Sequence, residues 1–285
     1  MKLAHARGEL DLGRCIVMGI LNRTPDSFFD GGRMELTEAV EHGLALEGEG
    51  AGVIDIGAVK AGPGEEVSED EETRRLLPLV EELSARTDVP LSIETGRPEV
   101  ARRAVEAGAA IINDVTGLLD PELADAAAAT GAGLILMHHG GQIRGRPRHP
   151  RYADVTKEVG DELEHMAVLA MEHGVQSAAI AIDPGLDFGK NTLHSLELVR
   201  RLPELVARGL PVLVAASRKD IVGESLGLPP DERLEGSLAI VALSVAAGAA
   251  MVRVHDAGAS VRVVRMVEAV AGKSMPVALR RGLWD

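Results

Sequence analysis

The stretch MGILNRTPDSFFDGG, residues 18–32, passes from a continuous apolar run into a polar segment rich in turn residues. With Ile16 and Val17 ahead of it, the run of Met18, Ile20 and Leu21 reads as a strand covered on both faces, the pattern of a buried parallel sheet. At Asn22 the chemistry changes. Asn22, Arg23, Thr24, Asp26, Ser27 and Asp30 set hydrogen-bonding and charged groups just past the strand, and Pro25, Gly31 and Gly32 shape the turn. Polar groups at the C-terminal end of a parallel strand are what the mouth of an α/β barrel is made of.

Outward from this stretch the same alternation repeats. Strands are predicted over residues 52–57, 89–93, 110–113, 133–137, 178–182, 211–215 and 251–254. Helices are predicted over 36–50, 67–85, 98–108, 121–130, 152–173, 194–208, 231–247 and 259–271, two closing on glycine and two opening on proline. Strict strand–helix alternation demands a parallel sheet, and eight such units in 285 residues predict a single-domain (β/α)8 TIM barrel spanning residues 1–285. An open doubly wound sheet is the alternative.

Composition narrows the function classes. Hydrophobic residues at 46% and charged ones at 26% fit a soluble globular chain with a large core. A net charge of −14 with 2% aromatics lacks the basic stripe and stacking platforms of a nucleic-acid binder, so no nucleic-acid partner is expected. Any anionic substrate has to be held by a local group of cations against the field of the whole surface. One cysteine, Cys15, excludes an internal disulfide and a cysteine-rich zinc site and is compatible with the cytoplasm. The first residues, MKLAHARGEL, lack the apolar core of a signal peptide, and the apolar run at 238–252 is too short and too broken by Gly and Ser to span a membrane.

The residues just past each strand are strongly polar: Asn22 and Asp26, Asp55 inside the second strand, Glu94 and Thr95, Asn113 and Asp114, His138 and His139, Asp183, Ser217 to Lys219, and Arg253, His255 and Asp256. Singly, each has a plain structural use as a cap or a solvated loop residue. Convergence on one mouth gives them another. Glu94, Asn113, Asp183 and Lys219 offer acceptors and donors suited to a flat, nitrogen-rich heterocycle, while Asn22, Arg253 and His255 suit a phosphate or diphosphate. His138 and His139 are adjacent and lack a second spaced ligand pair, which disfavours a metal held by protein alone. Mg²⁺ bridging a diphosphate through Asn22 is the better-supported metal. Ser217 and Cys15 have no relay that would make either a nucleophile.

Seven segments in this order and near these spacings, MGILNRTPDSFFDGG, DIG…GPG, IINDVTG, LMH, DPGLDFGK, SRK and RVHD, resemble the dihydropteroate synthase family along essentially the whole chain. The resemblance implies a pterin-binding TIM barrel that joins 6-hydroxymethyl-7,8-dihydropterin diphosphate to p-aminobenzoate and releases diphosphate for folate synthesis. It implies that Asn113, Asp183 and Lys219 bind the pterin, that Phe188 and Arg253 flank its ring, and that Asn22, Arg253 and His255 hold the diphosphate with Mg²⁺. Asp183, Lys219 and Arg253 would then be the catalytic set, with Glu94 and Lys60 among the substrate-binding residues, in a cytoplasmic homodimer packed through its last helices. Three departures stand out. Where the family reads GESTRPG after DIG, this chain reads AVKAGPG, putting Lys60, Ala61 and Gly62 in place of Ser, Thr and Arg in the loop that helps build the p-aminobenzoate pocket. The usual Asp of the third strand is Glu94, and LMHMRG becomes LMHHGG. With GAVKAGPGE and DFGKNTLH the chain also resembles the divergent second synthase copy of actinobacteria, which leaves a different acceptor, or a pterin-binding role without catalysis, as alternatives.

Overall fold

A computed structural model describes residues 1–22, 33–59, 67–141, 149–279 and 281. The chain opens with an antiparallel hairpin, β1 (Lys2–His5) and β2 (Gly8–Asp11). The barrel follows: β3 (Ile16–Asn22), α1 (Arg33–Gly48), β4 (Val53–Gly57), α2 (Glu69–Ser84), β5 (Leu91–Glu94), α3 (Pro98–Glu106), β6 (Ile111–Asp114), α4 (Glu122–Thr130) and β7 (Gly133–Met137). Its second half is α5 (Val155–Glu172), β8 (Ile180–Asp183), α6 (Thr192–Arg200), α7 (Leu202–Val206), β9 (Leu213–Val214), α8 (Asp220–Leu226), α9 (Leu234–Ala246), β10 (Met251–Val254) and α10 (Ala257–Val270). The eight barrel strands pair in parallel in the order β8-β7-β6-β5-β4-β3-β10-β9. The ring closes where Ile182 bridges to Val212 and its N–H donates to the Pro211 carbonyl at 2.9 Å. The predicted barrel is therefore present, and the open sheet is not.

Period-2 alternation sorts each strand's side chains. Ile54, Ile56, Ile93, Ile112, Leu134, Leu136, Ile180, Ile182, Val252 and Val254 face outward, where the helices cover them. Met18, Val53, Ile111, Ile135, Ala181, Leu213 and Met251 face inward low in the barrel, packed with Leu3, Leu10 and Leu12 from the hairpin and the turn after it. The hairpin thus stoppers the end opposite the mouth. It was not foreseen in the sequence, because MKLAHARGEL is too short and too charged to read as a strand pair; its apolar residues are those that meet the barrel floor.

Helix ends follow local chemistry. Ser68 caps α2 by accepting from the Glu71 N–H, and Asp154 caps α5 through the Lys157 N–H. The predicted helix over 194–208 is instead two, α6 and α7, divided at Arg201, because Pro203 in the first turn of α7 has no N–H to continue the ladder. The predicted helix over 231–247 begins only at Leu234, after a turn at Pro230–Glu232, and the short α8, stopped by Gly227 at φ 69°, lies before it. Strand β9 is shorter than predicted; Pro211, which has no N–H to give a ladder, bounds it on one side.

Candidate active site

Two residues beyond the apolar floor, the barrel interior becomes charged. Val53 is followed by Asp55, Ile111 by Asn113, Ala181 by Asp183 and Met251 by Arg253, each pair on one inward row. Register aligns them: Asp55 sits opposite Ser92, Glu94 opposite Asn113, and Met137 opposite Asp183.

Arg253 is the centre of this layer. Its side chain is 15% exposed, and it donates through Nε to Asp55 Oδ2 and through Nη2 to Glu94 Oε2, both at 2.6 Å. Asp55 is fully buried and also accepts from Ser92 Oγ at 2.6 Å and from Asn113 Nδ2 at 3.2 Å. Burial works against the guanidinium's charge, but Asp55 and Glu94 outweigh it and hold its pKa above the ordinary value. Burial pushes the Glu94 carboxyl up, a shift that Arg253 opposes. Asp183 is likewise raised by burial against the pull of Lys219, and its Oδ1 accepts from the Gly185 N–H at 2.7 Å. Lys219 is lowered by burial and donates to the Leu186 carbonyl at 3.0 Å. Its ammonium lies 4.8 Å from the centre of the Phe188 ring, within cation–π range.

His255 stands at the end of β10 with an exposed ring, its backbone N–H and Nδ1 within 3.2 and 3.1 Å of Ser217 Oγ. Packing first, then Arg253 and Arg218, push its pKa down to about 4. Asn22 is exposed at the end of β3, on a strand that pairs with both β4 and β10. Asn22, Glu94, Asn113, Asp183, Phe188, Lys219, Arg253 and His255 thus all lie at the C-terminal ends of barrel strands or in the loops that follow. Lys60, Asp26 and the changed loop at 60–66 lie outside the described residues.

Other polar strand-end residues have structural work. Asp114 accepts from the Thr116 and Leu118 N–H groups at 2.7 and 2.6 Å, shaping the loop after β6. Thr95 donates to Glu72, which pairs with Arg97, and Arg218 forms a two-pronged pair with Asp256. His138, which the sequence left as a weak metal ligand, bridges Glu162 at 3.0 Å and Lys190 at 2.7 Å. No group of three or more metal-ligating side chains occurs among the described residues. The role of Asp55 as partner of Arg253, and Lys190 altogether, are what the sequence does not reveal. Asp55 was noted as polar inside a strand, and that oddity, an acid in the run GVIDIG, was the signal; Lys190 had none beyond its place in DPGLDFGK.

No described helix is long and apolar enough to cross a membrane. The family described as pterin binding enzyme matches residues 18–255. "Inactive dihydropteroate synthase 2" of Mycobacterium leprae is 47% identical over 279 residues, 95% of each chain. Dihydropteroate synthase of Escherichia coli is 41% identical over 271 residues, 94% of this chain and 96% of that protein. The structure of Xanthomonas albilineans dihydropteroate synthase with 4-aminobenzoic acid superposes with a TM-score of 0.88 at 41% identity, covering 95% of this chain and 99% of that one. The family inferred from seven short segments is therefore matched along nearly the whole chain: it belongs to the pterin-binding enzymes, among the dihydropteroate synthases and their relatives called inactive.

Proposed function

We propose that the protein binds 6-hydroxymethyl-7,8-dihydropterin diphosphate in the barrel mouth and transfers its pterin-methyl group to p-aminobenzoate, releasing diphosphate. The observation that carries this is the charged group at the mouth itself, where buried Glu94, Asn113 and Asp183 and half-buried Arg253 stand at the ends of barrel strands and half-buried Lys219 lies in the loop after β9. Asn113, Asp183 and Lys219 would bind the ring's donors and oxo group, and Phe188 and Arg253 would flank its faces. Arg253 comes to the substrate already neutralised by Asp55 and Glu94. Turning toward a diphosphate costs it one of those bonds and frees Glu94 to accept from a ring N–H. Loss of diphosphate leaves a delocalised pterin cation, and the carboxylates of Asp55, Glu94 and Asp183 are fixed where they stabilise that charge without reorganising. The aromatic amine then captures the cation and gives up a proton.

Asn22 and His255 would hold the diphosphate with Arg253. For Mg²⁺ the donor set fits, because magnesium takes few protein ligands and completes its shell with water and phosphate oxygens, and the exposed Asn22 carboxamide can supply one oxygen. An ion held there would supply positive charge to offset that of the diphosphate. Leu243 on α9 and Met266 and Val270 on α10 are 59%, 63% and 76% exposed, an apolar strip that supports a homodimer packed through these helices. The single free cysteine is in keeping with a cytoplasmic place.

One feature favours a second reading, a pterin-diphosphate binder that uses another acceptor or none. The AVKAGPG loop lacks the Ser, Thr and Arg expected beside p-aminobenzoate, and relatives at 46–47% identity bear the word inactive in their names. Diphosphate release, measured with Mg²⁺ on protein already shown to bind the pterin, separates the two. Release that depends on p-aminobenzoate supports the synthase, and binding without such release establishes the second reading.

A further inference from the structure

We infer that Lys190 is a positioning residue: its buried side chain clips the loop after β7 to the loop after β8 and so holds Phe188 in place beside Lys219. Lys190 is 4% exposed. Its Nζ lies 2.7 Å from His138 Nδ1, 3.2 Å from the His138 carbonyl, 2.8 Å from the Phe188 carbonyl and 3.1 Å from the Gly185 carbonyl. Four acceptors therefore surround a group with at most three N–H bonds, and they come from both loops. Because Nδ1 of His138 accepts from Lys190, its Nε2 carries the proton and donates to Glu162 at 3.0 Å. The clip thus extends from α5 through His138 to the backbone of Phe188.

The two loops are built for this closeness. A Cβ on Gly185 would stand 2.0 Å from the His138 carbonyl oxygen, and one on Gly189 would stand 2.6 Å from the Gly140 Cα. Both glycines have positive φ, 63° and 59°, so the backbone approach is steric and conformational at once. Tyr152 adds a hydrogen bond to the Gly189 carbonyl at 2.9 Å. Removing the amine leaves buried acceptors, the carbonyls of His138, Gly185 and Phe188, without their partner. That the loop matters for a ligand rests on the pterin reading above; that Lys190 holds the loop does not.

The groups facing Lys190 are His138 and His139 on the β7 side, Glu162 on α5, Asp183 at the end of β8, Asp187 in the following loop, and Lys219 beyond β9. Burial dominates and brings its pKa down from 10.5 to about 7. A lysine released to solvent regains its ordinary affinity for protons, so between these values the opened loop takes up a proton that the closed loop does not hold. Opening is therefore penalised more as pH rises, by about tenfold or more between pH 6.5 and 8.5 if the amine is fully solvated on opening.

Hydrogen–deuterium exchange on the whole chain, without ligand, tests the clip. In the natural protein, exchange of residues 184–191, corrected for its intrinsic rate, should show an opening constant falling about tenfold over that pH range. In Lys190→Met the same segment should exchange about tenfold faster at pH 8.5 and lose the pH step, while residues 69–84 of α2 stay as they were. Calorimetric affinity for 6-hydroxymethyl-7,8-dihydropterin diphosphate with Mg²⁺ should fall about tenfold in the variant. Unchanged exchange of residues 184–191 in Lys190→Met overturns the inference. Faster exchange with undiminished pterin affinity overturns the positioning of Phe188. Should the natural protein not bind the pterin at all while the pH step is present, the proposed function fails and the clip stands.

Discussion

The lower and upper levels of this barrel's interior sit on the same strands, two residues apart, and do opposite things. Below, Val53, Ile111, Ala181 and Met251 are sealed by Leu3, Leu10 and Leu12 of the hairpin end. Above, Asp55, Asn113, Asp183 and Arg253 are equally buried or nearly so, yet hold three charges and an amide. The lower level is cheap to bury and stabilises the fold; the upper level is expensive to bury and is tolerated because Arg253 reaches two carboxylates and Ser92 and Asn113 satisfy Asp55. One step of the pleat separates stability from chemistry.

That separation can be broken. Ile111→Ala opens a cavity in a fully buried site and should cost about 2–5 kcal/mol of stability in urea unfolding, while pterin affinity of the folded protein stays within about twofold. A large fall in affinity would mean that the two levels are one mechanical unit. Asp183→Asn is the complementary change: it keeps an acceptor for the Gly185 N–H but removes the charge, and should weaken pterin binding by more than about 1 kcal/mol in calorimetry. Unchanged affinity would take Asp183 out of the pocket.

The same variant sharpens the comparison through pH. Burial raises the folded pKa of Asp183 above its ordinary 3.8. In the window above that value the folded chain retains a proton that the unfolded chain has released, so Asp183 subtracts stability as pH rises. Urea midpoints should therefore move in favour of Asp183→Asn, relative to the natural protein, as pH is raised from 4 to 6. A smaller effect is expected from the changed loop. Lys60→Ala should alter use of p-aminobenzoate and leave pterin affinity within about twofold if acceptor and pterin recognition are energetically independent. A marked loss of pterin binding would join them.

Much of the candidate site was legible because barrel geometry sends every residue just past a strand to one mouth. Glu94, Asn113, Asp183 and Lys219 as one group, and Asn22, Arg253 and His255 as another, needed no coordinates to be placed at that mouth. The pairing of Arg253 with Asp55 and Glu94 was not legible: these residues are as much as 198 positions apart, and nothing in the order of residues says which carboxylate a guanidinium will choose. The hairpin escaped for a related reason, since its apolar residues make sense only against a floor formed by strands that come later in the chain.

The sequence by itself determined the alternation of strands and helices, the barrel that eight such units must close, and the polar character of the mouth, because periodicity and turn chemistry are local properties. Tertiary structure decided how charge is distributed inside that mouth. It turned Arg253 inward onto two acids, set His138 between Glu162 and Lys190, and put a buried lysine between two loops held at glycine distance. Such choices depend on desolvation and on which partners lie within about 3 Å, and both are fixed only when distant strands are brought side by side.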